Sequence, residues 1–272
     1  MALPESSRSD RRAARRSQRA ESALLHLPSR QVRNPWPPLE ILDGAQLEQL
    51  HDASLRILEE TGLLMMDAEA LSLWAAAGAR VDHTEQRVRL DRGLVLELAA
   101  KAPAAFTWRA RDPGKTLAIG GNAVTFAPQG GVVYATDLDR GRRPGTLADY
   151  QDFLKLIQLS GPLQYSGEQV MALHDVPSEA RHLRRLTSAI TLTDKALLEA
   201  AHGRTITEDN LALARLVFGD DLGAGPPDSS DALSASPQRP APPVAVIGGV
   251  INASSPLRYD DRMLGGLITY AR

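Results

Sequence analysis

Polar side chains that could bind a substrate or move a proton cluster directly after three predicted strands. In parallel α/β folds the carboxyl ends of neighbouring strands meet at one edge, where substrate-binding and catalytic groups collect. These side chains therefore predict a binding site at that edge, with capping of the following turns as the alternative role. In chain order they are Ser166, Glu168 and Gln169 with nearby His174 and Asp175, then His202, then Asn252, Ser254 and Ser255.

Several familiar kinds of site are excluded by residues and motifs that the sequence lacks. Without cysteine it can form no disulfide framework, zinc–thiolate site, iron–sulfur cluster or cysteine nucleophile. Its six histidines form no H-E-x-x-H pair, so no metal site is predicted. No G-x-S-x-G sequence is present to make the nucleophile elbow of a serine hydrolase. The pairs Gly120-Gly121 and Gly130-Gly131 lie between short strands, so we interpret them as hairpin turns rather than phosphate loops.

Strands and helices alternate in the second half of the sequence, which indicates parallel strands covered by helices. We expect the three strands that carry the polar clusters to be neighbours and parallel. They are predicted over 164–169, 196–201 and the uninterrupted apolar run 244–251. Helices are predicted over 147–159, with Thr146 as its N-cap, and over 178–192, 208–218 and 260–272.

Shorter elements in the first half favour packing rather than chemistry. Leu47, Leu50, Ile57 and Leu58 share one face of a predicted helix, so we expect that face to be buried. Helices are predicted over 44–61, 67–77 and 91–101, with a strand over 87–90. Four short runs separated by turn residues predict a small antiparallel sheet over 106–109, 116–119, 123–127 and 132–137.

Charge is small overall but concentrated at the beginning of the chain. The 272 residues carry a net charge of −2 and only 4% are aromatic, which gives no basis for nucleic-acid binding. Residues 1–34 hold eight arginines and three acidic residues, so they predict a disordered basic leader, with RNA or an acidic partner as the less favoured interpretation. No run resembles a secretory signal or a membrane span, so we expect a cytoplasmic protein without membrane association. The Pro-, Ser- and Gly-rich stretch 220–243 predicts a mobile loop.

A set of motifs in a fixed order resembles the trimethylamine methyltransferase family, the corrinoid-dependent methyltransferases of methylated amines. The resemblance covers about residues 35–272. Its most specific parts are Asp137 with the run GRRPGTLADY over 141–150, and the run NASSPL over 252–257. Weaker parts are LRILEETGLLM over 55–65, KAP over 101–103 and ARDP over 110–113.

This resemblance implies that a methyl group passes from a tertiary or quaternary amine, trimethylamine or a betaine, to the cobalt of a corrinoid. A partner protein supplies the corrinoid, so no cofactor is expected to bind this chain directly, and no catalytic side chain is assigned because reduced cobalt is the nucleophile. The chain would bind the small amine and exclude water, with each aromatic face contributing about 0.5–2 kcal/mol to a quaternary ammonium. The implied substrate-binding residues are Tyr165, Gln169, His202, Asn252, Ser254 and Ser255, with Tyr134 and Tyr259 as further aromatic candidates, and ordinary packing is the alternative role of the three tyrosines.

The implied fold class is α/β, with an α+β accessory region over 35–145 and the first part of a TIM (β/α)8 barrel over 146–272. A complete barrel takes about 250 residues, and about 127 remain after the accessory region, so the barrel is expected to be incomplete. The alternative function is therefore a catalytically inactive, truncated fragment that acts only as a binding module. An unrelated α/β binding protein is a third hypothesis, and assembly into a homo-oligomer is a further expectation.

Overall fold

The computed structural model describes residues 30–220, 222 and 243–272. Within those ranges the chain forms seven α-helices and short strands that pair in five small sheets. Most of the predicted basic leader and of the predicted mobile loop lies outside the described residues. The last residues of the predicted leader are ordered, because β1 (Val32–Arg33) pairs with the distant β7 (Ala123–Val124) and the Gln31 amide donates to the Ala118 carbonyl at 2.7 Å.

The first compact unit combines three helices with a small sheet. Helix α1 (Gly44–Arg56) begins at Asp43, whose carboxylate accepts from the Gln46 backbone N–H at 2.8 Å in a capping box, and it continues as a π turn over Ile57–Thr61. The predicted helices and the strand near residue 88 are confirmed, whereas β2 and β3 are too short to give a periodic signal. The remaining elements of this unit are β2 (Leu63–Met65), α2 (Ala68–Ala76), β3 (Arg80–Asp82), β4 (Arg87–Arg89) and α3 (Arg92–Ala100).

Segments from the end of the described chain complete this first unit. β13 (Arg258–Tyr259) lies parallel to β2, which gives a four-stranded sheet in the order β13-β2-β4-β3. Helix α7 (Asp261–Ala271) follows, and its Leu264 is buried in one cluster with Met65 and Val88. The chain therefore returns to its first sheet after forming the second half of the fold.

The apolar face of α1 is oriented differently from our expectation. Leu47, Leu50 and Ile57 are 55%, 57% and 46% exposed, so their predicted burial is wrong. Leu55 is buried and Leu58 packs against the cluster beneath the sheet. Because these two residues are three apart on the helix, they form a narrower stripe, rotated away from the one that the hydrophobic pattern indicated.

Four predicted strands of the first half form, but not as one antiparallel sheet, so that prediction is wrong. β5 and β6 pair antiparallel, β11 adds to β5 in parallel, and β8 pairs antiparallel with β9, while β7 pairs with β1. Short strands take partners from distant segments, and sequence periodicity carries no signal for such a partner. The bounds are β5 (Ala105–Trp108), β6 (Leu117–Gly120), β8 (Tyr134–Asp137), β9 (Gly141–Pro144) and β11 (Val244–Ala245).

The three strands predicted for the second half are neighbours and parallel, which confirms their order. β10 (Leu197–Ala200) runs parallel to β12 (Ile247–Val250) over their whole length. Tyr165 forms a parallel bridge to Ala196, on the other side of β10. We call the segment 163–166, β10 and β12 the parallel array. No closed barrel is formed by the residues that the structure describes.

Two of these predicted strands are interrupted. In the first, the Ser166 hydroxyl accepts the Leu198 N–H at 3.0 Å in place of a backbone carbonyl. The apolar run 244–251 is bent at Val246, so its first two residues pair with β5 and its last part pairs with β10. A continuous apolar pattern therefore serves two different sheets.

Three helices cover one face of the parallel array: α4 (Leu147–Leu159), α5 (Arg181–Leu192) and α6 (Arg204–Phe218). The bounds of α4 are those predicted, because Thr146 caps its start. Tyr150, Leu154, Leu186 and Leu197 are buried in the core between these helices and β10. None of the described helices is long and apolar enough to cross a bilayer.

A buried ammonium group binds the end of α4. Lys195 is 1% exposed, and its Nζ donates to the carbonyl oxygens of Ile157, Ser160 and Leu163, at 2.6 Å for Ser160. The last carbonyls of a helix lack helical donors, so Lys195 satisfies part of that need. Burial lowers the pKa of Lys195 to about 8.

Lys195 is expected to make the free energy of unfolding rise with pH between about 8 and 10.5. The folded-state pKa lies below the usual value, so unfolding takes up a proton across this window and becomes less favourable as the pH rises. Urea unfolding at both ends of the window measures the slope, which we expect to be steeper in the wild type than in Lys195→Met. Equal slopes in the two proteins would contradict this assignment.

The hairpin of β8 and β9 is held against α4 by Asp149. This carboxylate accepts from the Thr146 backbone N–H at 3.1 Å and from its hydroxyl at 2.7 Å, and it pairs with Arg143. Replacing Asp149 with alanine removes the capping box and leaves Arg143 with one partner fewer. We expect a loss of about 2 kcal/mol in the free energy of unfolding.

Thermal and urea unfolding of Asp149→Ala measure this loss. The matched control is Asp152→Ala on the same helix, where an exposed carboxylate pairs with Lys155 and little stability is expected to depend on it. A loss of the same size in both variants would show that Asp149 has no special role.

Candidate functional site

Apolar side chains pack at the beginning of the parallel array. Trp108 of β5 lies with its ring centroid 5.0 Å from that of Tyr165, and Leu198 packs in the same apolar cluster. Tyr165 therefore lies at the beginning of the array and packs against the first half of the fold, instead of standing at a strand end as expected. Burial raises the pKa of its phenol.

A strained turn follows the first segment of the array. Gly167 has φ of 75° and Gln169 has φ of 26°, a left-handed conformation that a residue with a side chain rarely adopts. A Cβ atom on Gly167 would lie 2.4 Å from the Pro128 ring, so glycine is required there. The Gly131 N–H donates to the Gln169 carbonyl at 3.0 Å and helps to hold the turn. Such strain is found most often at functional sites.

Glu168 lies at the centre of this turn, between the two positive φ angles. Its carboxylate is half-buried, yet it makes no hydrogen bond or ion pair with any residue that the structure describes. Burial raises the pKa of this carboxyl, and nearby His202 lowers it by a smaller amount. A half-buried carboxylate without a partner is a suitable place for a cationic ligand, because the ligand would offset the cost of burying the charge.

His202 brings a second polar side chain to the same edge. It follows β10 and precedes Gly203, whose φ of 113° turns the chain into α6. The parallel bridge between Tyr165 and Ala196 places these two strand ends side by side, and His202 is close enough to lower the pKa of the Glu168 carboxyl. Gln169 is adjacent in sequence, and its side-chain amide makes no hydrogen bond within the described ranges. We call Glu168, Gln169 and His202 the edge cluster.

Asn252, Ser254 and Ser255 follow β12 at the same edge but belong to a segment that leaves the array. Asn252 and Ser255 are exposed. The Ser254 backbone pairs with Arg258 at 2.7 and 2.9 Å, which directs the chain toward β13. No hydrogen bond joins these three side chains to the edge cluster among the described residues, so their role in substrate binding stays a prediction.

Other polar candidates have structural roles or lie elsewhere. The Asp175 carboxylate accepts the Leu147 N–H at 2.9 Å and so helps to cap α4, beside exposed His174. Tyr134 lies on the β8–β9 hairpin and Tyr259 on β13, so neither belongs to the edge cluster. Glu168 is missing from the predicted substrate-binding set, although the run Ser-Gly-Glu-Gln after a strand is a signal that could have included it. Within the described ranges, no three His, Asp or Glu side chains are grouped so that they could hold a metal ion.

In comparisons with known proteins, the chain is similar to methyltransferases. A family model described as trimethylamine methyltransferase (MTTB) matches residues 8–272. The chain is 34% identical over 235 residues to a glycine betaine methyltransferase of Desulfitobacterium hafniense strain Y51, which covers 86% of this chain and 45% of that protein. It is 33% identical over 81 residues to the trimethylamine methyltransferase MttB of Desulfitobacterium hafniense strain DSM 10664 / DCB-2, covering 30% of this chain and 16% of that protein. The chain thus spans less than half the length of these curated relatives.

Proposed function

Because the chain belongs to the trimethylamine methyltransferase family, we propose that it transfers a methyl group from a small methylated amine to the cobalt of a corrinoid carried by a separate protein. A betaine-like donor is favoured over trimethylamine, because the similarity to a glycine betaine methyltransferase extends over 86% of this chain. We infer a cytoplasmic location, since the reduced cobalt needed for the reaction requires a strongly reducing compartment.

The site assignment depends on the half-buried carboxylate of Glu168, which follows the first segment of the array and has no hydrogen-bond or ion-pair partner among the described residues. In the proposed complex Glu168 binds the quaternary ammonium of the donor. His202 offers a ring N–H to the carboxylate of the methyl donor, and the Gln169 amide supplies a further hydrogen bond. A zwitterionic methyl donor then meets an opposite charge at its ammonium end and hydrogen-bond donors at its carboxylate end.

The proposed reaction needs no nucleophilic side chain from this protein. The reduced cobalt supplies the nucleophile. The bond between the methyl carbon and nitrogen breaks with its electron pair going to nitrogen, so a quaternary donor leaves as a neutral tertiary amine. No proton has to move, which agrees with an edge cluster whose members bind and orient rather than act as an acid or a base. Holding the donor at one edge lets the acceptor approach from outside the array.

Visible absorption spectroscopy tests the proposal. The full chain is mixed with reduced cob(I)alamin, free or bound to a corrinoid protein from the same organism, and with glycine betaine, dimethylglycine or trimethylamine. We expect conversion to methylcobalamin with glycine betaine and little with the other donors. Absence of methylcobalamin with each amine and both acceptors would refute the proposed function.

A further inference from the structure

The short connection that carries His202 is not fixed by contacts of its own. His202 lies between β10 and Gly203, the residue that precedes α6. Its imidazole makes no hydrogen bond within the described ranges, and a Cβ atom on Gly203 would meet no atom within 4 Å. Because glycine adopts many backbone conformations, the position of His202 depends on the residues that flank this connection.

Helix α7 fixes the residue before His202. Ala201 is buried, and a Cβ atom on Gly266 of α7 would lie 2.2 Å from the Ala201 carbonyl oxygen, so only glycine allows this approach. The Asn210 side chain of α6 donates to the Ala200 carbonyl at 3.1 Å. The end of β10 is therefore held by both helices.

Arg204, the first residue of α6, fixes the other side of the connection. Its guanidinium donates to the Asp67 carboxylate at 3.1 Å and pairs with Glu69 at 2.9 Å, both at the start of α2. The Arg204 side chain also packs against α7, because a Cβ atom on Gly265 would lie only 3.0 Å from its Cγ atom. Since α2 and α7 belong to the first compact unit, Arg204 ties the connection to that unit.

A network of charges makes this attachment stronger than an isolated surface pair. The Asp67 side chain is mostly buried, and its second carboxylate oxygen accepts the Ala70 N–H at 2.9 Å, which fixes its orientation. Arg272, at the end of α7, pairs with Glu69 as well. Isolated exposed pairs contribute little to stability, whereas a network of several charges holds a defined geometry.

We propose that Arg204 is a positioning residue that keeps His202 in the edge cluster by anchoring the start of α6 to α2. This inference rests on the proposed function, in which His202 binds the carboxylate of the methyl donor. Without the anchor the connection adopts other conformations, and the apparent affinity for the donor falls with the fraction of molecules that keep the binding arrangement. The first unit, which carries no member of the edge cluster, thereby acts on substrate binding.

Two variants weaken the anchor, and two serve as controls. Arg204→Met removes the charge, and Asp67→Asn removes the counter-charge while keeping an oxygen that can cap α2. Arg204→Lys keeps a cation on a long side chain. The matched control is Arg92→Met, because Arg92 also bridges two carboxylates, Asp52 and Glu59, but within the first unit. Thermal unfolding of each variant measures the accompanying loss of stability.

NMR spectroscopy of the full chain with isotope-labelled histidine reports the surroundings of His202 without any substrate. The His202 resonance is the one of six that is absent from His202→Gln. Isothermal titration calorimetry with glycine betaine then measures whether a displaced His202 weakens the binding of the donor.

We expect the His202 resonance to move in Arg204→Met and Asp67→Asn, and the dissociation constant for glycine betaine to rise about fivefold in both variants. Arg204→Lys and Arg92→Met should resemble the wild type in both measurements.

An unmoved His202 resonance in Arg204→Met and Asp67→Asn overturns the inference, as does an equal displacement in Arg92→Met or Arg204→Lys. Unchanged affinity of the anchor variants for a donor that the wild type binds also overturns it. A displaced His202 resonance in a chain whose wild type binds none of glycine betaine, dimethylglycine or trimethylamine refutes the proposed function and leaves the positioning role of Arg204 supported.

Discussion

Replacing Glu168 with glutamine is expected to weaken the binding of glycine betaine at least tenfold. Two opposite charges about 4 Å apart attract by about 4 kcal/mol at an effective dielectric constant of about 20, and tenfold in affinity corresponds to about 1.4 kcal/mol. Part of the attraction is lost to desolvation, so the smaller figure is the expected minimum. Isothermal titration calorimetry on the full chain measures the difference.

The pH dependence of binding gives an independent check on Glu168. Burial raises the pKa of this carboxyl above its usual range, and the quaternary ammonium does not titrate. Binding to the wild type should therefore weaken as the pH falls through the raised pKa, and Glu168→Gln should lack this loss. The matched control is Glu179→Gln, an exposed glutamate before α5. Equal affinity of wild type and Glu168→Gln would remove Glu168 from the site.

Glu199→Gln is expected to lower the free energy of unfolding by about 3–5 kcal/mol. The Glu199 carboxylate on β10 accepts from Arg185 of α5 at 2.7 Å, and the side chains are only 2% and 8% exposed. Glutamine keeps the shape but leaves the Arg185 guanidinium buried without its counter-charge. Tyr150, whose hydroxyl donates to the Arg185 backbone carbonyl at 3.4 Å, cannot replace that charge.

Urea unfolding of three variants tests this ion pair. The double variant Arg185→Met/Glu199→Leu removes both charges and should be more stable than Glu199→Gln, because no charge is then left unpaired. Glu97→Gln, in the exposed pair with Lys101, should change little. A loss below about 1 kcal/mol in Glu199→Gln would show that Arg185 is solvated in the folded state.

Local signals of the sequence were sufficient for the elements that cover the array. Thr146 marks the start of α4 because a threonine hydroxyl satisfies a free backbone N–H at a helix end. The alternation of strands and helices predicted the parallel order of segment 163–166, β10 and β12, since each covering helix returns the chain to the same end of the sheet.

Strand pairings between segments that are distant in the sequence were not predicted. β1 joins β7 and β11 joins β5, and in both cases two residues from a remote part of the chain complete a small sheet. The hydrophobic pattern of such short strands does not encode a partner. For the same reason the sequence did not decide between packing and substrate binding for Tyr165, whose neighbour Trp108 lies in another sheet.

The candidate site was predicted in part. Gln169 and His202 were expected at neighbouring strand ends, and the structure brings these ends together around Glu168. The importance of Glu168 depends on its burial and on the lack of a partner among the described residues, two properties that a sequence does not display. Ser254, in contrast, was expected to bind substrate. In the structure its backbone pairs with Arg258, a contact that the sequence does not display.

Transfer of an isotopically labelled methyl group is the direct test of whether this chain moves a methyl group from a betaine to cobalt. The full chain is incubated with cob(I)alamin and glycine betaine that carries deuterated N-methyl groups, and the products are analysed by mass spectrometry. We expect trideuteromethylcobalamin together with an equal amount of dimethylglycine that keeps its remaining label, and a much lower yield with Glu168→Gln at the same donor concentration. Cobalamin that stays unlabelled while the methyl donor remains intact would show that the chain does not catalyse this transfer.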